Sequence, residues 1–260
     1  MMKFAAARGN VRIAYDVLGT GAPVMLLHDR GASSGFWYDS GGVKACLARG
    51  RQVVLVDLRG HGESGAPVDA TAYDPIQCSW DMVAVLDDAA IRRADVIGHG
   101  VGGRIALCMA AFAPGRVHAV AAGSAHPFAE PLHASGAARA ATWMRLLKAK
   151  VPDGRATLSD PAPLAVAMES DWPDMSEAVA RSRVPVLLFA GKDEPRYSLI
   201  ASFAEQSEAR LIVVPQHATD GAPAVRTAQL LPRILDFLDA PGKEAVWDSP
   251  APGLWSGSWG

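Results

Sequence analysis

The chain has 260 residues, half of them apolar and 20% charged, with 25 Lys and Arg against 27 Asp and Glu and a formal charge of −2. That composition excludes intrinsic disorder as the main state and can bury one large α/β core. No Lys/Arg cluster occurs along the chain, which argues against nucleic acid and leaves a small-molecule substrate as the expected partner.

In chain order, two alternating stretches, around Phe4–Ala7 and Val11–Asp16, end at Gly19-Thr20-Gly21 and predict an antiparallel hairpin. Continuous apolar runs then recur at Val24–Leu27, Val53–Val56, Val96–Ile97, Val117–Ala121, Val184–Phe189 and Leu211–Val214. Each is closed by Gly, His or Asp, as buried parallel strands are. Helical patterns lie among them at Trp80–Ala90, Val101–Phe112 and Val225–Leu238. Strand alternating with helix predicts an α/β fold built on a doubly wound, mostly parallel sheet.

From Phe128 to Arg183 the rhythm breaks, with Pro131, Pro152, Pro161, Pro163 and Pro173 among short helical pieces such as Ala137–Lys150. This stretch reads as a lid inserted over the carboxyl edge of the sheet. The predicted organisation is a core of residues 1–127 and 184–240, a lid of 128–183, and a Trp/Gly/Ser-rich tail of 241–260 holding Trp247, Trp255 and Trp259. Docking of the tail's rings on a second copy would make the protein a homo-oligomer.

No apolar run approaches the ~18 residues of a membrane span, so no membrane is expected as a partner. The apolar start Phe4–Ala7 meets Arg8 too soon for a secretory signal core. Cys46, Cys78 and Cys108 are odd in number, widely spaced and without CxxC, so neither a disulfide framework nor a zinc site is expected, and a cytoplasmic address follows. No cofactor and no metal are expected, since no His/Cys/carboxylate set has ligand spacing.

In an open parallel sheet, ligands bind beyond the carboxyl ends of the strands. The junctions there read His28-Asp29-Arg30-Gly31, Asp57-Leu58-Arg59-Gly60-His61-Gly62, Gly98-His99-Gly100-Val101-Gly102-Gly103, Gly191-Lys192-Asp193-Glu194-Pro195 and Pro215-Gln216-His217. In order, spacing and wording, over nearly the whole chain, these resemble the α/β-hydrolase-fold superfamily. The resemblance implies a nucleophile elbow, G-x-S-x-G, at Gly98 to Gly102, and the serine position holds Gly100. Gly98 and Gly102 keep the sharp turn, while an ordinary acyl-serine mechanism is excluded for this chain.

The resemblance further implies an oxyanion hole made by backbone N–H groups after the first parallel strand together with that of Val101. Here Asp29, followed by Arg30, stands where the family has glycine, and a carboxylate facing that pocket would repel a developing anion. The alternative is an Asp29 turned outward and paired with Arg30. The family's general base falls on His217, and its acid on Glu194 by the G-x-x-D spacing, with Asp193, one residue earlier, as the alternative.

Around these, His28 and His61 suit structural hydrogen bonding in the Gly-rich loops, and His99 suits packing beside the elbow. As replacement nucleophile, Cys108 reads as core, whereas Ser124, His126 and His133 can reach the pocket. Trp143, Met144, Met168 and Trp172 are expected to line or close it. Three functions fit: a hydrolase or lyase for a small carbonyl compound using a His217–Glu194 general base without a serine nucleophile, a catalytically silent binding member, or a serine hydrolase whose nucleophile was replaced by Gly100 through engineering.

Overall fold

A computed structural model of the chain describes residues 1–129, 172–214 and 230–240. The strands are β1 (Lys3–Ala7), β2 (Val11–Leu18), β3 (Pro23–Leu27), β4 (Gln52–Val56), β5 (Ala94–His99), β6 (Val117–Gly123), β7 (Val186–Gly191) and β8 (Arg210–Val214). They form one sheet in the order β1-β2-β4-β3-β5-β6-β7-β8. β1 and β2 are antiparallel, with Lys3 opposite Tyr15, and β3 to β8 run parallel. The predicted hairpin and all six apolar runs are therefore strands.

The helices are α1 (Gly35–Asp39), α2 (Gly42–Ala48), α3 (Pro75–Asp88), α4 (Val101–Phe112), α5 (Ser176–Arg181), α6 (Tyr197–Gln206) and α7 (Leu230–Asp239). α3 starts where it does because Asp74 caps it, its carboxylate accepting from the N–H of Ile76 and Gln77, with Pro75 in the first turn, where its missing N–H is not needed.

Alternation along each strand splits the apolar residues between two cores. Met25 and Leu27 meet Met82, Ile105 and Met109 on the face covered by α3 and α4. Val24 and Leu26 meet Trp37, Val43 and Ile234 on the face covered by α1, α2 and α7. Removal of each such side chain from water contributes about 1.5–3 kcal/mol. Among the described residues no helix is long and apolar enough to cross a membrane.

Of the predicted lid, only its two ends lie within the described residues. The returning end joins the α4 face, where Trp172, Met175 and Val179 are buried and the Met175 N–H donates to the Pro127 carbonyl at 2.8 Å. Trp143, Met144, His133, Met168 and the tail with Trp247, Trp255 and Trp259 lie outside the described residues, as does His217.

Candidate active site

The elbow joins β5 to α4 in one residue. Gly100 has φ 55° and ψ −118°, its N–H donates to the Gly123 carbonyl at 2.8 Å, and its own carbonyl accepts from Arg104 at 3.0 Å. A positive φ of this kind suits glycine. The flanking glycines answer to close packing: a Cβ on Gly98 would lie 2.2 Å from the Gly102 carbonyl oxygen, and one on Gly102 would lie 2.4 Å from that of Leu27.

Asp29 fills the apex. Its Oδ1 accepts from the N–H of Arg30 at 2.7 Å and of Val101 at 2.9 Å, the two donors expected to form the oxyanion hole. A Cβ built on Gly100 would stand 1.9 Å from that Oδ1 and 2.2 Å from the carboxyl carbon. The carboxylate thus occupies the space a serine side chain would need. Of the two expectations for Asp29, the outward orientation is corrected: the side chain turns inward, and its bond to Arg30 is to the main-chain N–H. An ionised oxygen bound to paired N–H donors is itself the electrostatic equivalent of the anion they would serve.

Burial alone would raise the Asp29 carboxyl, but His99 beside it and the N–H groups of Val101 and Arg30 more than offset this and hold it at about 2. It is an ionised group at neutral pH, with its side chain 28% exposed.

His99, the last residue of β5, is buried, with its ring centroid 5.7 Å from Phe36 and 6.3 Å from Phe189. Its Nδ1 lies 3.7 Å from Asp29 Oδ2, an ion-pair separation longer than a hydrogen bond. Its Nε2 lies 3.1 Å from Ser124 Oγ, which also lies 2.8 Å from Glu194 Oε1. The strand register causes this meeting, because His99 pairs with Gly123 across β5 and β6 and Ser124 follows directly. Ser124 has φ 51°, a left-handed conformation that costs a side-chain-bearing residue about 1–2 kcal/mol.

Glu194 Oε1 also accepts from the Gly191 N–H at 3.2 Å, which ties the acid to the end of β7. Glu194, Ser124, His99 and Asp29 consequently form one chain of side chains across the sheet edge. The sequence reading set His99 beside the elbow, and the structure adds its contact with Ser124.

His28 and His61 pin the neighbouring loops. The Leu58 N–H donates to His28 Nε2 at 3.0 Å, and His28 Nδ1 faces the Asp29 carbonyl at 2.7 Å. The Gly31 N–H donates to His61 Nε2 at 3.0 Å, and His61 Nδ1 faces the Arg59 carbonyl at 3.0 Å. Both rings are neutral: burial lowers His28, and burial together with His28 pushes His61 down to about 3.

His126 is fully buried, its ring 6.1 Å from that of Phe128. Trp172 packs beneath the Arg104 guanidinium at 4.5 Å and lines, with Val101, Leu58 and Ile105, a pocket of about 30 Å³. Cys108 is core, its thiol pushed up to about 12 by burial. Among the described residues no group of three His, Cys, Asp or Glu is placed to hold a metal ion.

An eight-stranded sheet in this order, with a strand-glycine-helix elbow at its carboxyl edge, is matched by the family model described as alpha/beta hydrolase fold over residues 22–152, half of the chain. The chain belongs to this family. A 2-hydroxymuconate semialdehyde hydrolase of Pseudomonas sp. (strain CF600) is 36% identical over 120 residues, 45% of this chain and 42% of that one. Bifunctional epoxide hydrolase 2 of Sus scrofa is 34% identical over 118 residues, 45% of this chain and 21% of that one. The matches thus span less than half of either relative's length. The crystal structure of the enol-lactonase from Burkholderia xenovorans LB400 has the same fold, with a TM-score of 0.76 at 21% identity over 91% of this chain and 99% of that one.

Proposed function

We propose that this member of the α/β-hydrolase fold is a hydrolase or lyase for a small carbonyl compound, in which His217, oriented by Glu194, is the general base and the elbow supplies no attacking group. The observation that carries this reading is the exchange at the apex, where Asp29 takes both the N–H donors and the space that an elbow serine would use. Glu194 lies three residues past the end of β7 and accepts from the Gly191 N–H, which supports it as the acid, and the relatives named for a semialdehyde and an enol-lactone suggest the substrate class.

The base would remove a proton from water or substrate. A lone serine-to-glycine replacement is disfavoured by the same geometry, because a serine at position 100 and the Asp29 carboxylate exclude each other.

The filled N–H pair also favours a second reading, a catalytically silent member that binds its ligand. The two part on one experiment. Across a panel of esters, lactones and C–C cleavage substrates, His217→Ala is expected to lower turnover by on the order of a hundredfold or more. No turnover by the parent chain over the whole panel, with ligand binding unchanged in His217→Ala, would establish the silent reading instead.

A further inference from the structure

The elbow has lost its attacking group, yet a serine, a histidine and an aspartate stand in line beside it. We infer that Ser124, His99 and Asp29 form a displaced catalytic triad, with Ser124 as nucleophile, His99 as its base and Asp29 as the carboxylate that faces and orients the ring.

The distances run 3.1 Å from Ser124 Oγ to His99 Nε2 and 3.7 Å from His99 Nδ1 to Asp29 Oδ2. A triad is defined by geometry and roles rather than by position in the chain. The ionised Asp29 selects the tautomer with the proton on Nδ1, leaving Nε2 to accept from the serine. The ring is buried between Phe36 and Phe189, and among the described residues its Nδ1 makes no hydrogen bond and faces the Asp29 carboxylate. Glu194 is a second acceptor for the same hydroxyl, which donates to one or the other.

Two further features follow from this assignment. Gly100 lacks a side chain because Asp29 must cross the apex to reach His99, and a Cβ there would block it. Ser124 holds its strained φ of 51° directly after a strand, which turns a side chain that would otherwise continue the alternation of β6.

In the first half-reaction Ser124 Oγ bonds to the substrate's carbonyl carbon as its proton passes to His99 Nε2. The imidazolium, held by Asp29, returns that proton to the leaving oxygen as the carbon–oxygen bond breaks, giving an acyl-Ser124 ester and an alcohol. In the second, a water loses its proton to His99 Nε2 as its oxygen bonds to the acyl carbon, and Oγ departs taking that proton back, leaving the acid. This inference goes beyond the proposed His217–Glu194 pair and does not draw on it.

An alkyl fluorophosphonate tests it without knowledge of the substrate: a phosphorus–Oγ bond forms, the phosphorus–fluorine bond breaks, and fluoride leaves. Full-length chain treated with the probe is expected to gain one label, mapped by fragmentation to Ser124 in the tryptic peptide of residues 117–139. The labelling rate should fall on the order of a hundredfold in His99→Gln and in Asp29→Asn. It should vanish in Ser124→Gly, whose backbone suits the left-handed φ and so preserves the fold.

Label on any other residue, no label at all, or a rate unchanged in His99→Gln overturns the triad. The two readings fail separately. A chain that is unlabelled but loses turnover in His217→Ala keeps its general base without the triad. A chain labelled at Ser124 with turnover untouched by His217→Ala keeps the triad without that base.

Discussion

A carboxylate stands at each end of strand β5, and the two are held in opposite ways. At its start Asp95 meets Arg51 at 2.7 Å, and the same guanidinium reaches Asp239 at 2.6 Å, with both Arg51 and Asp95 almost fully buried. Past its end Asp29 takes its donors from the main chain and faces an imidazole at 3.7 Å, with its side chain partly open. In the first arrangement charge is matched by charge, with Arg51 and Asp95 out of solvent and Asp239 at its open side. The second is electrostatically satisfied yet reachable, which is the condition under which a carboxylate can influence a bound molecule. The lesson is that burial of charge marks stability where a guanidinium caps it and chemistry where backbone dipoles and a titratable ring do.

The comparison breaks most visibly at the closed end. Arg51→Ala leaves Asp95 buried with its principal charge partner removed and is expected to destabilise the chain by about 3–5 kcal/mol in urea denaturation. The fluorophosphonate labelling rate per folded molecule should not change. A parallel loss of labelling would mean that the two ends are coupled.

At the open end, Gly100→Ser drives a side chain into Asp29 and should destabilise by about 1–3 kcal/mol. Asp29→Gly combined with Gly100→Ser should recover most of that loss, and a double-mutant cycle in urea measures the coupling. Additive effects would show that the two positions do not exclude each other.

Acid sharpens the contrast further. Both His28 and His61 lie below 6.5, so the unfolded chain takes up protons first and stability falls as the pH drops from about 6.5 toward about 3. The slope contributed by His61 should reach roughly 1.4 kcal/mol per pH unit, and His61→Gln should flatten it. Asp29 acts lower down: its contribution is complete above 3.8 and is lost as the pH falls through about 2. Thermal unfolding across a pH series reads both windows.

The smallest effect is expected at Ser124. In Ser124→Gly, relief of the left-handed φ offsets the lost hydroxyl hydrogen bonds, leaving stability within about 1 kcal/mol of the parent, whereas Ser124→Ala should be about 1 kcal/mol worse than the glycine variant. Equal stabilities for the two variants would mean that the backbone there carries no strain.

Much of the architecture was legible from local pattern. Six apolar runs became parallel strands because burial on both faces leaves no polar alternation, and Gly98 and Gly102 announced the elbow because nothing larger fits against the Leu27 carbonyl and the turn itself. Helices α1, α2 and α6 were missed. The first two are only five and seven residues long, and α6 buries only Ile200 and Phe203, too little for a periodic stripe. The direction of Asp29 depends on dihedrals within a loop. The meeting of His99 with Ser124 depends on the register of β5 against β6, and no local pattern encodes either. Glu194 was found by spacing, but its bond to Ser124 spans seventy residues of chain and exists only once the sheet is built.

The loops after β3 and β4 are laced to each other: Asp57 accepts from the Ser34 and Glu63 N–H groups, and His28 and His61 each reach across to the other loop's main chain. Anyone grafting this pocket onto a sister scaffold would have to move the two segments together as a cassette. Lengthening either by a residue would shift the reach of Asp29 without touching it, so loop length here sets the carboxylate's position as surely as side-chain identity does.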